Sequence, residues 1–314
     1  MAAIRRTRGL VTAAVLAVVA ALLLFASAVP RLPGNVMSLV ETFLPWLGLA
    51  VPAGLVVAAV RRSVVAAAAS LAVAAVWLAV FRTALPPAPE PGARDAGDMT
   101  VVQHNVSDEN TSPSRVARIL LGADPDVVAL EELTESTLPA YRIALGRTHP
   151  HHATVGTVGL WSTYPLTDVA RVDIRPRAVG DGWDRGLRAV VNGPRGKVAT
   201  YVAHLPSVRL RASEGYATAW RDESARRLGV ALSSERAAAV LVLGDLNGTA
   251  ADRGLGPVMD QVRGSRGEFA FSWPADVPLA RIDHVLARGG EVTTTWTLPA
   301  TGSDHLPVAA RVRF

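Results

Sequence analysis

Three long apolar stretches stand almost end to end at the start of the chain, and no other feature constrains it as much. Residues 10–30 are nearly all Ala, Val and Leu, residues 36–60 carry one acid, Glu41, and residues 63–81 carry no charge. Each has the length, about 20 residues, that a helix needs to cross a hydrocarbon core. A single run of this kind fits a buried helix of a soluble domain. Three in succession, joined by a few residues each, argue for a membrane domain over residues 1–82.

Arginines orient the spans, because loops rich in them stay on the cytoplasmic side. Arg5, Arg6 and Arg8 precede the first span, and Arg61 and Arg62 separate the second from the third. The N-terminus is therefore expected in the cytoplasm, and the chain leaves the third span on the outer side of the cell membrane. Ala26-Ser27-Ala28 resembles a signal-peptidase site; cleavage there leaves the second and third spans and the same final side. Glu41 is expected to snorkel toward the outer interface, with a buried functional carboxylate as the alternative. Pro45 and Pro52 are placed to kink the second span. Four prolines in residues 83–98 make an extended spacer, beyond which residues 99–314 form the second domain.

The net charge of +5 invites a nucleic-acid reading until it is located. Residues 1–94 hold eight arginines and two acids, net +6; residues 95–314 hold 24 basic and 25 acidic groups, net −1, with one lysine, Lys197. The basic excess belongs to the apolar part and reads as topology, so the second domain lacks the electrostatic footprint of a nucleic-acid binder. With no cysteine in the chain, a metal must sit on oxygen and imidazole ligands.

From Met99 the pattern turns to short β-rich runs, predicted at 99–104, 127–130, 155–161, 187–191, 198–203, 240–243, 282–287 and 308–313. Ser112-Pro113 reads as a cap and first-turn pair opening a helix through Leu121. A second helix is expected over 214–235 with Ala217, Trp220, Leu228 and Leu232 on its apolar side. Strands mixed irregularly with helices indicate an α/β sandwich.

Polar groups recur at the ends of these runs: Asn105, Glu132, His204, Asp245 with Asn247, Asp283, and Asp304 with His305. Any one of them alone is best read as a turn residue or a cap. Together they supply hard oxygen ligands for Mg²⁺, two imidazoles for proton transfer and carboxylates to orient them. His149, His151 and His152 could bind a metal, but a solvated loop is the plainer reading. His104 and His284 alternate away from the site. The loop 180–186 either rims the cleft, with Trp183 toward substrate or lipid, or is an ordinary mobile loop.

The order of short motifs QHN (103–105), ALEE (129–132), AHLP (203–206), GDLNG (244–248), RIDH (281–284) and SDHLP (303–307) resembles the endonuclease/exonuclease/phosphatase superfamily across essentially all of 99–314. The resemblance implies a DNase I-like four-layer α/β/β/α sandwich, here preceded by three transmembrane helices. It implies a Mg²⁺-dependent phosphoesterase, with Mn²⁺ able to substitute. Glu132 then resembles the principal metal ligand, with Asn105 and Asp304 completing the metal site. Asp245 and Asn247 resemble the pair that positions or deprotonates water. His305, held by Asp283, would contact the scissile phosphate or act as base, and His204 would protonate the leaving oxygen. One departure is Glu131, where the family commonly has Gln; strand alternation should point it away from Glu132.

Three spans followed by such a domain also resemble actinobacterial membrane phosphatases of the teicoplanin-resistance type, which act on undecaprenyl pyrophosphate. The expected partners are the bilayer and a phosphorylated membrane lipid. An exported nuclease and a non-catalytic membrane sensor are the alternatives.

Overall fold

The computed structural model of the protein describes residues 9–30, 32–85, 98–110, 112–265 and 269–314. The arginines at 5, 6 and 8 and most of the expected proline-rich spacer lie outside the described residues.

The apolar runs form helices, which satisfy their own backbone hydrogen bonds. They are α1 (Leu10–Phe25), α2 (Val36–Thr42), α3 (Ala50–Arg61) and α4 (Val64–Phe81), with a 3₁₀ segment, Leu44–Leu49, leading into α3. The helical stretches Leu10–Ala28, Leu44–Arg61 and Val64–Phe81 are long and apolar enough to cross a membrane. They pack around Leu16, Leu23, Met37, Leu44 and Val73. Helices α3 and α4 make an antiparallel pair. Arg62 turns the chain with φ 50°, and the Ser63 hydroxyl caps α4 by accepting the Ala66 N–H at 3.2 Å, a contact of about 1 kcal/mol.

The second run is not the single helix expected over 36–60. Phe43 leaves the helical region at φ −109°, ψ 22°, and Pro45 follows it without an N–H to donate. Pro52 falls in the first turn of α3, where that loss is tolerated. The part upstream of the break, α2, packs on the second domain as a stem. Its Ser38 hydroxyl donates to Asp252 at 2.7 Å, and just before it the Asn35 amide donates to the Tyr216 carbonyl at 2.9 Å. Trp46 donates to the Leu279 carbonyl at 2.7 Å and stacks on Phe271. Gly34 and Gly215 meet so closely that a Cβ on Gly215 would lie 2.6 Å from the Gly34 Cα. Glu41 does not snorkel. It is 1% exposed and accepts from Arg253 N, Nε and Nη2 at 3.0, 2.9 and 2.6 Å.

The second domain has two main sheets. One has the order β12-β13-β1-β2-β4-β3, from β1 (Met99–Asn105), β2 (Val127–Glu131), β3 (His151–Val155), β4 (Val158–Ser162), β12 (Glu291–Thr297) and β13 (Val308–Arg313). The other has the order β11-β10-β7-β6-β5, from β5 (Leu166–Arg171), β6 (Gly186–Gly193), β7 (Gly196–Ala203), β10 (Ala239–Asp245) and β11 (Asp283–Arg288). A short hairpin joins β8 (Arg209–Arg211) to β9 (Gly215–Ala217).

Alternating residues on the strands divide the packing. Val101, Val127, Ala129, Leu187, Val202, Leu241, Leu243 and Val285 share the core between the sheets. On one outer face, Val102, Val128 and Leu130 meet Val116, Leu120, Tyr141 and Leu145 of α5 (Pro113–Leu121) and α6 (Leu138–Gly146). On the other, Tyr201, Val240 and Val242 meet Ala225, Leu228, Leu232 and Val258 of α7 (Ala219–Ser234) and α8 (Gly256–Met259). These are the four layers of the expected α/β/β/α sandwich.

The run 155–161 is a hairpin of β3 and β4, turned at Gly156 with φ 53°. The helix expected over 214–235 begins at Ala219, because residues 215–217 pair as β9. Its Trp220 is 46% exposed, while Arg221 is buried and holds Asp252 at 2.8 Å. Ser112 makes no side-chain cap. Residues 151–155 form strand β3 and not a loop, with His152 exposed and His151 half-buried. His149 is 1% exposed, bonded to the Pro125 carbonyl at 2.9 Å, and His152 stacks on Trp161.

Candidate active site

Strand direction brings the polar ends together. Strand β1 runs parallel to β2, and β7 runs parallel to β10, while β13 and β11 run antiparallel to β1 and β10. The exits of four strands and the entries of two therefore share one edge of the sandwich. There Asn105 pairs with Glu131, and Asp245 pairs with Asp283.

The same alternation that builds the core sets the site. Continuing inward from Val101 gives Gln103 and Asn105; from Ala129, Glu131; from Val202, His204; from Leu243, Asp245. The inner face is thus apolar along the sandwich and polar at this edge. Glu132 should by alternation face outward. It instead adopts φ 60°, a left-handed conformation uncommon outside glycine, and turns its carboxylate into the cleft. Asn247 does likewise at φ 49°. Gly244, at φ 148°, lies where any Cβ would collide with the Ala203 carbonyl oxygen.

Asn105, Glu132, Asp245, Asn247, Asp304 and His305 all line one cleft of about 710 Å³. Short steps connect them. His204 Nε2 lies 3.7 Å from Glu132 and 3.7 Å from Asp245. His305 Nε2 lies 3.7 Å from Asp245 and 4.0 Å from Asp304. Asp245 Oδ2 accepts from Asn105 and from Asn247, each at 3.1 Å. Asp283 stands behind His305, with Oδ2 2.8 Å from Nδ1.

Burial sets the charges. Burial alone would lower His305, but Asp283 and Asp245 beside it raise it to about 10, so it is an imidazolium. Burial alone would raise Asp283, but the charge and hydrogen bond of His305, with bonds from Ser272 and Gln103, hold it low. Burial lifts Asp245 to about 7 against the pull of His305. His204 is held well below its usual range by burial, then by Arg185 and His305, and is neutral. A neutral ring offers one N–H and one acceptor nitrogen.

Asp245, Asp283 and His305 each bring a ligand atom within 4.8 Å of the others. Asp283 is nevertheless spent: Gln103 donates to Oδ1 at 2.9 Å, Ser272 donates to Oδ2 at 2.6 Å, and the group is fully buried. It orients His305 instead of facing a cation. Open oxygens lie elsewhere in the cleft. Glu132 accepts from the Asp108 N–H at 3.2 Å and is 26% exposed; the Asp304 side chain is 66% exposed. Asn105 Oδ1 accepts from the Ser107 N–H at 3.0 Å and keeps a second lone pair. This donor set fits a hard divalent cation.

Glu131 keeps clear of the cleft. It is fully buried between the sheets, accepts from Gln103 at 3.2 Å, and is raised well above the carboxylate range by burial and by Asp283 and Asp245. His104 bonds Thr301 at 2.9 Å and His284 bonds the Gly248 carbonyl at 2.8 Å, so both turn from the site as alternation predicts. In the loop 180–186, Trp183 packs against the outer core of the five-stranded sheet. Its neighbour Arg185 lies over the Trp183 ring at 5.0 Å and reaches the His204 ring at 3.2 Å. Arg185 and Ser272 escaped the sequence reading. Neither belongs to a periodic run, whereas Gln103 was findable as the residue two before Asn105.

The sequence profile of the Endonuclease/Exonuclease/phosphatase family matches residues 102–305. No curated protein sequence matches the chain. Among similar solved structures, sphingomyelinase C from Streptomyces griseocarneus is 19% identical, with a TM-score of 0.50 over 68% of this chain and 99% of that one. A beta toxin variant from Staphylococcus aureus with bound magnesium ions is 16% identical, with 0.52 over 68% and 99%. TDP2 from D. rerio, complexed with a single-strand DNA product, is 17% identical, with 0.54 over 69% and 99%. At these identities the likeness is one of fold.

Proposed function

The chain belongs to the endonuclease/exonuclease/phosphatase family, and on that premise we propose that it is a membrane-anchored, Mg²⁺-dependent phosphohydrolase. It acts outside the cytoplasm on a lipid-linked pyrophosphate, as in the teicoplanin-resistance type. The carrying observation is that a cleft of catalytic residues is mounted directly on the stem of a bilayer-length helix, through Ser38–Asp252, Glu41–Arg253 and Trp46–Leu279.

The helix pair supports this sidedness. Arg61 and Arg62 lie at one end of α3 and α4. Trp46 and Trp77, the latter donating to the Pro45 carbonyl at 2.7 Å, lie at the other, where the catalytic domain packs. Arginines mark the cytoplasmic side and tryptophans an interface, so the cleft faces outward. It meets lipids of the outer leaflet at high effective concentration, and cytoplasmic nucleic acid is out of reach. Of the similar structures, one is a sphingomyelinase and another holds a DNA product; the near-neutral domain here favours a lipid.

Glu132, Asp304 and Asn105 would hold the cation, which would neutralise charge on the phosphoryl group when bound. The remaining chemistry belongs to side chains. Asp245, positioned by Asn105 and Asn247, takes a proton from the attacking water. The water oxygen bonds to the terminal phosphorus and the bridging P–O bond breaks, giving inorganic phosphate and a lipid monophosphate. His305, oriented by Asp283, donates a hydrogen bond to a phosphoryl oxygen and stabilises its charge. His204, steadied by Arg185, donates to the leaving oxygen.

Phosphate release from undecaprenyl pyrophosphate in detergent tests the reading. Release should require Mg²⁺, stop with EDTA and fall at least about 10²-fold in Asp245→Ala. Wild-type release no greater than that of the variant would refute it, and plasmid nicking in its place would identify an exported nuclease.

A further inference from the structure

The catalytic cleft does not close at Asn247. Val208, Asn247 and Trp273, which line it, also line a second depression of about 260 Å³. Its other walls come from two parts of the chain. Leu39 and Phe43 belong to the membrane stem, and Leu210, Tyr216 and Ile282 belong to the catalytic domain. The two walls are fixed in register by the bond from Asn35 to the Tyr216 carbonyl and by the Gly34–Gly215 contact. The groove is therefore built into the fold. It runs from the metal-facing cleft to Phe43, one residue before the apolar stretch Leu44–Arg61 begins.

The walls say what it can hold. Leu39, Phe43, Leu210 and Ile282 offer hydrocarbon. Thr42, Tyr216 and the Asn247 amide N–H groups bond within the protein. Thr42 Oγ1 donates to the Ser38 carbonyl at 2.9 Å and meets the Tyr216 hydroxyl at 3.4 Å. Asn247 Nδ2 donates to the Leu205 carbonyl at 2.9 Å and to Asp245. Thr42, Tyr216 and Asn247 thus have few donors left for the ester carbonyls of a glycerolipid. A chain bonded directly to a phosphoryl oxygen needs no such partner. At the mouth, Leu210 is 73% exposed between Arg209, which lines the cleft, and Arg211. Arg211 pairs with Glu214 at 3.3 Å, which leaves Leu210 as an exposed apolar side chain at the mouth. The volume lies below the ~300–1,000 Å³ of pockets that engulf a whole drug-sized ligand, so only the start of a long chain fits and the rest stays in the bilayer.

We propose that this groove seats the phosphate-proximal carbons of a polyprenyl chain whose pyrophosphate occupies the cleft. The proposal rests on the lipid-pyrophosphate reading above and adds where selectivity for the lipid comes from. The enzyme then draws its substrate along the stem from the membrane without lifting the whole lipid into water.

The test uses the full chain in detergent with Mg²⁺. Phosphate release is measured from undecaprenyl pyrophosphate and from water-soluble isopentenyl pyrophosphate, for wild type, Leu210→Asp and Leu39→Trp. The first variant places a charge at an exposed position of the mouth, and the second fills the groove from the stem; thermal melting confirms that each folds. The ratio of kcat/KM for the long over the short substrate should fall at least about tenfold in both, since apolar pockets discriminate on that scale. A ratio within twofold of wild type in both variants overturns the groove while leaving the lipid-pyrophosphate reading intact. Wild-type release from neither pyrophosphate overturns that reading and the groove with it. Hydrolysis of sphingomyelin or a glycerophospholipid in their place does the same.

Discussion

Arg253 grips Glu41 across 212 positions of sequence and closes the joint between the apolar helices and the second domain. Its guanidinium also donates to the carbonyls of Ala26 and Val29, each at 2.6 Å, so one side chain ties α1, α2 and the catalytic domain together. Removing one member of a buried ion pair strands the other, at a cost of about 3–5 kcal/mol. Arg253→Ala, which leaves Glu41 buried without its cation, should lower the melting temperature of the detergent-solubilised protein more than Glu41→Ala, which leaves an arginine 18% exposed. Melting of Arg253→Ala together with wild type would show the joint to be dispensable.

Glu132 keeps its carboxylate in the cleft only through a left-handed backbone that strand alternation would not supply. Glu132→Gln preserves shape and removes the charge. Its kcat/KM should fall about 10²–10³-fold, the scale for one preorganised electrostatic contact, with a higher Mg²⁺ concentration needed for half-maximal rate. Activity of wild type in EDTA, or an unchanged Mg²⁺ titration in the variant, would move the cation away from Glu132.

Asp283 accepts from His305 Nδ1, Ser272 and Gln103 without exposure to solvent. Its role is to fix the orientation and charge of His305, so Asp283→Asn should act through that histidine. We expect a loss of about 10²–10⁴-fold in kcat, as when an orienting carboxylate is replaced, with little change in Mg²⁺ dependence. Adding His305→Ala to Asp283→Asn should cost little more than either alone, because residues acting as a unit are not additive. Fully multiplicative losses would show that Asp283 works independently of His305.

How much of this was legible follows from which forces are local. The inward placement of Gln103, Asn105, Asp245 and Asp283 is a period-two property and can be read along each strand. The turn at Glu132 cannot, since it depends on a backbone conformation that no periodicity marks; the ALEE motif alone pointed to it. Ser272 reaches Asp283 from a stretch without regular structure, held by its carbonyl's bond to the Leu306 N–H at 2.7 Å. The stem failed for a similar reason. Hydropathy sees residues 36–60 as one apolar run, because the partners that turn α2 away from it, Asp252 and Arg253, lie more than two hundred positions later. The hairpins were lost where exposed edge strands such as β5 carry no apolar alternation.

Glu235 offers a pH test away from the cleft. Arg188 Nε donates to it at 2.6 Å; the Tyr201 hydroxyl and the Ala237 N–H donate at 2.9 and 2.8 Å. The Arg188 bond, opposed by burial and helped by the Ala237 and Tyr201 bonds, holds its carboxyl at about 2, below the ordinary 4.5. A carboxyl depressed by folding stabilises the native state above its unfolded value and loses that contribution as pH falls through the folded one. Arg188 is 23% exposed, which screens the pair, so the contribution is at most about 1 kcal/mol. The gap in stability between wild type and Glu235→Gln should be full at pH 7 and shrink steadily between about pH 4.5 and 2. Arg188→Met should reduce the same pH-dependent gap, because it removes the charge that depresses the carboxyl. A gap that stays constant with pH would mean that Glu235 contributes through shape and neutral hydrogen bonds and not through its ionised form.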